Sequence, residues 1–204
     1  MHAGAIGMAA DETRLPLFPL RAVLFPGGEL RLRIFEARYL DLVRDCLRDD
    51  RTFGVVRIIE GREVGMEQGA PHIAVVGTTA RLMDADVFPG GLLGVRVLGE
   101  RRFRVLAYEP DRRGLVWARV EKLVTDLGAG DSIAAERRER LVAALARLEP
   151  ALQAAEARHE LSWLCHRLAE RLPLELAARQ SLLECESVAE MVARVEDWLA
   201  STQR

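Results

Sequence analysis

A change of composition near residue 126 constrains the fold more than any other feature of the sequence. Before this point glycine, proline, valine and phenylalanine are frequent and apolar runs are short. After it alanine, leucine, glutamate and arginine dominate, and no glycine follows Gly130. The first composition is typical of strands and turns, the second of helices. We therefore predict a disordered tail over 1–12, a β subdomain over 13–126 and a helical subdomain over 127–204.

The first part consists of short apolar segments separated by turn signals. Residues 29–34 alternate polar and apolar, which predicts a half-buried strand. Because proline donates no ladder hydrogen bond, Pro16 and Pro19 place the first strand at an edge or an opening of the sheet. Only 35–49 has helical spacing, so we predict a small antiparallel β pseudo-barrel with one helix. The other predicted strands cover 15–20, 53–59, 73–83, 92–98, 100–108 and 115–124, the fourth and fifth of these paired across a bulge or tight turn at Gly99.

The second part has the spacing of a bundle of helices with short connections. Asp131 or Ser132 is suited to cap a helix that ends at Leu148, and Pro150 is suited to the first turn of the next helix. That helix carries Leu161, Leu164, Cys165, Leu168 and Leu172 on one side. Further helices are predicted around 174–183 and 188–199, and the last begins with the capping box Ser187–Glu190. Together the two parts predict the α+β class, an N-terminal pseudo-barrel followed by an antiparallel helical bundle.

The sequence lacks the constellations that ATP hydrolysis, peptide cleavage or metal chemistry require. The only lysine, Lys122, stands between Glu121 and Leu123, which excludes a P-loop; a Ser–Lys dyad would also need it, and no serine lies near it in sequence. Adjacent residues on a helix point about 100° apart, so Cys165 and His166 do not face each other. We predict Cys165 in the bundle core and His166 at its boundary.

Metal and cofactor binding are not expected either. His159 and His166 share a helix face, but two histidines without a third ligand make a weak metal site. We therefore expect no catalytic residue, no metal and no cofactor, and we interpret the chain as a non-catalytic binding module.

Charge and cysteine usage restrict partners and location. The net charge is −2, whereas nucleic-acid binders usually carry a basic excess. Three widely spaced cysteines without a CxxC motif fit a reducing compartment. No apolar run approaches the roughly 18 residues that span a bilayer. We expect a cytoplasmic protein with no membrane partner.

Strand arginines including Arg102 and Arg104 remain open to two interpretations, a patch for phosphate or acidic protein, or a solvated outer face of the barrel.

Residues 15–39, LPLFPLRAVLFPGGELRLRIFEARY, resemble the start of the N-terminal domain of Lon proteases. In that family a strand with LPL, an LFPG turn, a strand ending in IFE and RY, and a helix follow in this order. The resemblance covers about residues 13–200 and implies a PUA-like pseudo-barrel followed by a helical bundle, in agreement with the composition. Matching segments recur in register at 53–56, 63–65, 76–81, 99–105, 172–174 and 182–184.

The resemblance also implies a function. In Lon proteases this region is thought to recognise substrates and to support assembly, and ATPase and Ser–Lys peptidase domains follow it. Because the sequence stops at Arg204, we expect neither domain here, and the label protease is not carried over. The expected partner is an unfolded or extended polypeptide, or a separate protease or chaperone. A PUA-like nucleic-acid module and a cryptic hydrolase are the alternatives, and the oligomeric state stays open.

Aromatic residues, only 5% of the chain, concentrate in the block that carries the resemblance. With prolines that keep the neighbouring backbone out of regular ladders, they could form an open apolar groove for an extended segment, or they could fill the barrel core. Glu36 and Arg38 are candidates for exposed contacts at the start of the helix. The candidate binding residues are Phe18, Phe25, Pro26, Phe35, Glu36, Arg38 and Tyr39.

Overall fold

The structure is a computed structural model that describes residues 12–63, 70–89, 92–123, 135–149 and 160–202. Most of the predicted tail, the caps proposed at Asp131, Ser132 and Pro150, and His159 lie outside these ranges. The strands are β1 (Glu12–Leu20), β2 (Glu29–Ile34), β3 (Phe53–Glu60), β4 (His72–Ile73), β5 (Val76–Val87), β6 (Leu93–Pro110) and β7 (Val116–Lys122). The helices are α1 (Ala37–Asp49), α2 (Ala135–Leu148), α3 (Leu161–Arg171), α4 (Leu176–Leu183) and α5 (Val188–Thr202).

The strands form a sheet that closes on itself. Neighbours follow the order β1, β7, β6, β5, β3, and β3 returns to β1 through a parallel pairing from Leu17–Gly54 to Leu20–Arg57. The other pairings are antiparallel, and β2 adds to the first half of β6. This arrangement confirms the predicted α+β class and pseudo-barrel.

The strand β6 differs from the sequence expectation. Segments 92–98 and 100–108 were expected to pair across Gly99, but they form one strand of 18 residues. Gly99 is needed for a different reason: a side chain there would collide with the carbonyl oxygen of Phe25. Gly27, at φ 74°, donates its N–H to the Gly99 carbonyl oxygen, and the Gly99 N–H donates to the Gly28 carbonyl oxygen. Two residues therefore lie opposite one, which is a G1 bulge, and β2 starts directly after it.

The proline-containing strand β1 is not a simple edge strand. Its first half pairs with β7 and its second half with β3. Each half therefore has only one neighbour, and a proline is tolerated in each because its missing N–H can point to the unpaired side. Each half of β1 is thus an edge locally, in keeping with its prolines, although the strand as a whole has a neighbour on both sides.

Three apolar clusters make up the interior. Two lie in the barrel, and α1 covers the larger of them with Tyr39, Leu42 and Val43. The third lies in the bundle, where α3 packs against α2, α4 and α5. Cys165 is fully buried there, as predicted. No helix within the described ranges is long and apolar enough to cross a membrane.

Barrel and bundle are joined by a buried arginine. Arg102 and Arg104 do share a side of β6, but that side meets the connection between α4 and α5, which buries Arg102 and leaves Arg104 partly exposed. The Arg102 guanidinium, 3% exposed, donates to the carbonyl oxygens of Leu183 at 2.8 Å and Cys185 at 2.6 Å. Burial lowers the pKa of Arg102. Both open interpretations of Arg102, as a ligand patch or as a solvated face, are therefore wrong.

Candidate functional site

The barrel has an open seam beside β2. Within the described ranges β2 pairs only with β6, and its other edge faces a groove of about 270 Å³ between β1, β2 and the start of α1. The groove is lined by Phe18, Leu20, Arg31, Leu32, Arg33, Ile34, Phe35, Glu36, Tyr39 and Glu63. Four of the seven residues predicted as a binding site therefore lie together here.

Aromatic rings form the floor and the rim of this groove. Phe18 stacks on Tyr39, with ring centroids 3.9 Å apart, and both side chains are nearly buried. Burial raises the pKa of Tyr39 to about 12, so its phenol stays protonated at neutral pH. Phe35 lies between β2 and α1 with 59% of its surface exposed. The groove thus has a rigid aromatic floor and a solvent-facing aromatic rim.

The two charged residues predicted at this site differ in position: Glu36 lines the groove, whereas Arg38 does not. Arg38 is buried and donates to the carbonyl oxygen of Gly114 at 2.8 Å, with its guanidinium carbon 4.6 Å from the centre of the Tyr39 ring. It also pairs with Glu36 at 2.9 Å. Arg38 therefore holds Tyr39 and the start of α1 in place from behind, and the prediction of an exposed contact was wrong for it.

Phe25 does not belong to the groove. Its side chain is fully buried in the bundle cluster and stacks on His166, with ring centroids 5.0 Å apart. Pro26 lines a separate cleft of about 620 Å³ between barrel and bundle. The sequence did not separate Phe25 from Phe18, because the same Leu/Phe/Pro pattern surrounds both.

Sequence reasoning also missed part of the groove. Arg31 and Arg33 line it from the free edge of β2, and Glu63 lines it as well. The alternation in 29–34 indicates that these arginines point away from the core. Whether the strand beside them has a second neighbour depends on pairing that no local pattern specifies.

His166 lies inside the protein. The prediction that it lies at the boundary of the bundle is therefore wrong. Burial, and then the charges of Arg102 and Arg167, lower its pKa from 6.5 to about 3. The unfolded chain takes up a proton as the pH falls through 6.5, and the folded chain does not until about pH 3. The stability due to neutral His166 is thus present above pH 6.5 and is lost progressively below it.

We expect the free energy of unfolding to be about 2 kcal/mol lower at pH 5 than at pH 8 because of His166 alone. Urea unfolding at both pH values measures this loss. His166→Phe, which keeps an aromatic ring against Phe25, should remove that part of the pH dependence. An identical pH dependence in the variant and the wild type would show that His166 is not buried as a neutral ring.

The three cysteines lie in buried positions. Burial raises the pKa of Cys46 to about 11, of Cys165 to about 12 and of Cys185 to about 11, so these thiols are protonated at neutral pH. Over the same ranges, no group of three or more histidine, cysteine, aspartate or glutamate side chains is placed to hold a metal ion. The groove presents apolar surface, two guanidinium groups, two carboxylate side chains and an open strand edge.

Comparison with known proteins assigns the family. A family model described as the ATP-dependent protease La (LON) substrate-binding domain matches residues 14–201. The crystal structure of a Lon N-terminal domain protein from Xanthomonas campestris is 38% identical, with a TM-score of 0.74 over 91% of this chain and 98% of that chain. The N-terminal domain of a Mycobacterium avium complex Lon protease shares the fold at 18% identity, with a TM-score of 0.68 over 92% of this chain and 98% of that chain.

Curated relatives match over a shorter region. Lon protease 2 of Myxococcus xanthus and a Lon protease of Anaeromyxobacter dehalogenans are each 36% identical over 93 residues, 45% of this chain. Protein cereblon of Gallus gallus is 28% identical over 113 residues, 53% of this chain and 24% of cereblon. The chain spans about 11% of the length of the two Lon proteases. With the family model covering residues 14–201, the chain belongs to the family of LON substrate-binding domains.

Proposed function

We propose that the chain is a polypeptide-binding module and that the groove beside β2 is its binding surface. The observation that carries the proposal is an exposed aromatic side chain, Phe35, at the rim of an open groove with an aromatic floor. A concave apolar site with a few polar groups is the usual form of a binding site. Membership of a substrate-binding family supports the same conclusion.

The dimensions of the groove favour an extended segment over a folded surface. A volume of about 270 Å³ accommodates a few side chains. An unfolded or extended polypeptide can supply these side chains without exposing a complementary folded face. The bound segment would belong to a client protein or to a separate protease or chaperone.

We further propose that binding occurs without turnover. The groove holds arginine and carboxylate side chains but no histidine, cysteine, serine or lysine among its lining residues. The buried free thiols also support a reducing, cytoplasmic location.

The nucleic-acid alternative loses two of the strand arginines that motivated it. It relied on the strand arginines, but Arg102 is buried between barrel and bundle and Arg104 pairs with Glu121 at 3.1 Å. These side chains are therefore committed to contacts within the protein.

Phe35→Ser should weaken binding of a permanently unfolded protein, such as reduced and carboxymethylated lactalbumin, by about tenfold or more. The reason is the loss of the exposed aromatic rim. The unfolding free energy should change by less than about 0.5 kcal/mol, because Phe35 contributes little to the core. Fluorescence anisotropy of the labelled unfolded protein measures the affinity.

Val87→Ser is the matched control, because Val87 is 78% exposed and lies outside the groove. It should leave the affinity unchanged. Equal affinities for wild type and Phe35→Ser, or no binding of unfolded protein by the wild type, would contradict the proposal.

A further inference from the structure

The free edge of β2 indicates how a segment would bind and which sequence it would have. We propose that an extended segment of alternating acidic and apolar residues adds to β2 as a new strand. Its acidic side chains would lie beside Arg31 and Arg33, and its apolar side chains would enter the groove. This inference rests on the proposed function and specifies the class of ligand and the binding mode.

The bulge at the start of β2 determines which backbone groups are free. The Gly99 N–H donates to the Gly28 carbonyl oxygen at 2.8 Å, so these two residues form a hydrogen-bonded pair. Hydrogen-bonded pairs recur at every second residue of an antiparallel ladder, which continues from Glu29–Leu98 to Ile34–Leu93. The N–H and C=O groups of Arg31 and Arg33 therefore point away from β6, toward the open seam.

The alternation of side chains along β2 determines which side chains of an added strand point inward and which point outward. Leu32 and Ile34 are buried and form the inner face of β2, whereas Arg31 and Arg33 are exposed on its outer face and line the groove from its free edge. Residues paired across neighbouring strands point to the same face. A residue opposite Leu32 would therefore point inward over the rings of Phe18 and Tyr39. The residues on either side of it would point outward, next to the arginines.

Charge complementarity selects acidic residues for the outward positions. Within the described ranges neither Arg31 nor Arg33 forms an ion pair, although both line an outer cavity of about 390 Å³ together with Asp84 and Asp86. Neighbouring acidic groups pair with Arg96, which lies 3.5 Å from Glu29 and 4.0 Å from Asp84. Two unpaired guanidinium groups on one strand face favour carboxylates opposite them. Glu63, which lines the groove, disfavours acidic residues at the inward positions.

The same charges argue against a second copy of this chain as the occupant. If two β2 edges paired, arginines would face arginines across the new ladder, and like charges directly opposite are destabilising. Positive charges on an exposed edge are also a common protection against self-association. An acidic partner strand turns this repulsion into attraction.

The test uses the 204-residue chain and a labelled peptide that alternates valine and glutamate, with anisotropy as the readout. Arg31→Glu/Arg33→Glu should weaken binding of this peptide at least tenfold and should strengthen binding of a valine–lysine peptide. The control Arg101→Glu/Arg112→Glu changes the net charge equally at exposed positions outside the groove, and should have little effect on either peptide. Circular dichroism and urea unfolding confirm that both double variants are folded.

Backbone pairing is tested separately from charge. Two versions of the valine–glutamate peptide carry N-methyl groups on alternate sets of amides, so that one set faces β2 and the other faces solvent. We expect one version to lose binding and the other to retain it. Loss of binding by both versions or by neither would overturn strand addition.

The outcomes distinguish this inference from the proposed function. If unfolded protein binds in a Phe35-dependent way but the peptides respond neither to charge reversal nor to N-methylation, the proposed function stands and strand addition is wrong. If size-exclusion chromatography shows a dimer that Arg31→Glu/Arg33→Glu alters, β2 is occupied by a second copy and the inference is overturned.

Discussion

Arg102→Ala should lower the free energy of unfolding by about 3–5 kcal/mol, the largest effect that we expect from a single substitution in this chain. The variant loses two charge-assisted hydrogen bonds, to the Leu183 and Cys185 carbonyl oxygens. It leaves those carbonyls without their arginine donor and opens a void between barrel and bundle. Urea unfolding monitored by circular dichroism measures the loss, which is a large fraction of the 5–15 kcal/mol typical of a domain.

The neighbouring residue provides a matched control for Arg102. Arg101 is exposed, so Arg101→Ala should change the stability by less than about 0.5 kcal/mol. Arg102→Lys should recover only part of the loss, because an ammonium group lacks the planar fork of the guanidinium. If Arg102→Ala were as stable as Arg101→Ala, the buried arginine would not be what joins barrel and bundle.

Gly99→Ala should lower the free energy of unfolding by about 2–3 kcal/mol and should also weaken peptide binding. The added methyl group would collide with the carbonyl oxygen of Phe25, and a backbone atom cannot move aside as a side chain can. Relief requires displacement of the bulge at Gly27 and Gly28, which starts β2 and sets the direction of its free N–H and C=O groups. Urea unfolding and peptide anisotropy measure the two effects.

Gly94→Ala is the matched control on the same strand. Its methyl group would meet the ring of Phe88, which is 48% exposed and can rotate away, so we expect less than about 1 kcal/mol of destabilisation. Equal stabilities for Gly99→Ala and Gly94→Ala would contradict the close approach of Phe25 to Gly99. If Gly99→Ala were less stable but bound the peptide with unchanged affinity, the bulge would not control binding at the edge of β2.

The bulge and the groove belong to one continuous segment. Leu24 is buried in the barrel, Phe25 is buried in the bundle cluster, and β2 begins four residues later. The edge that we propose for binding is therefore anchored at its start by both parts of the protein. This position explains why a substitution at Gly99, outside the groove, is expected to affect binding.

The local order of elements was predictable because it depends on local patterns. Alternation in 29–34 indicates a strand with Leu32 and Ile34 inward, and Ser187 does cap α5 through the Glu190 N–H at 3.2 Å. The resemblance in residues 15–39 indicated the family, and the family model and the structural neighbours confirm it. Each of these conclusions needs only residues that are close in the sequence or an order of motifs along it.

The sequence by itself therefore determined the fold class, the family and the succession of a strand-rich part and a helical part, whereas the tertiary structure decided that two predicted strands form the single strand β6 and where the candidate site lies. Phe18 and Phe25 have similar neighbours in sequence, yet one forms the groove floor and the other is buried against His166. Arg102 is buried because the end of α4 and the connection to α5 cover its face of β6, and Arg31 is accessible because, among the described residues, no strand pairs with the second edge of β2. The physical reason is that periodicity specifies which face of an element is apolar, while long-range pairing specifies what covers that face and which strand edge is left open.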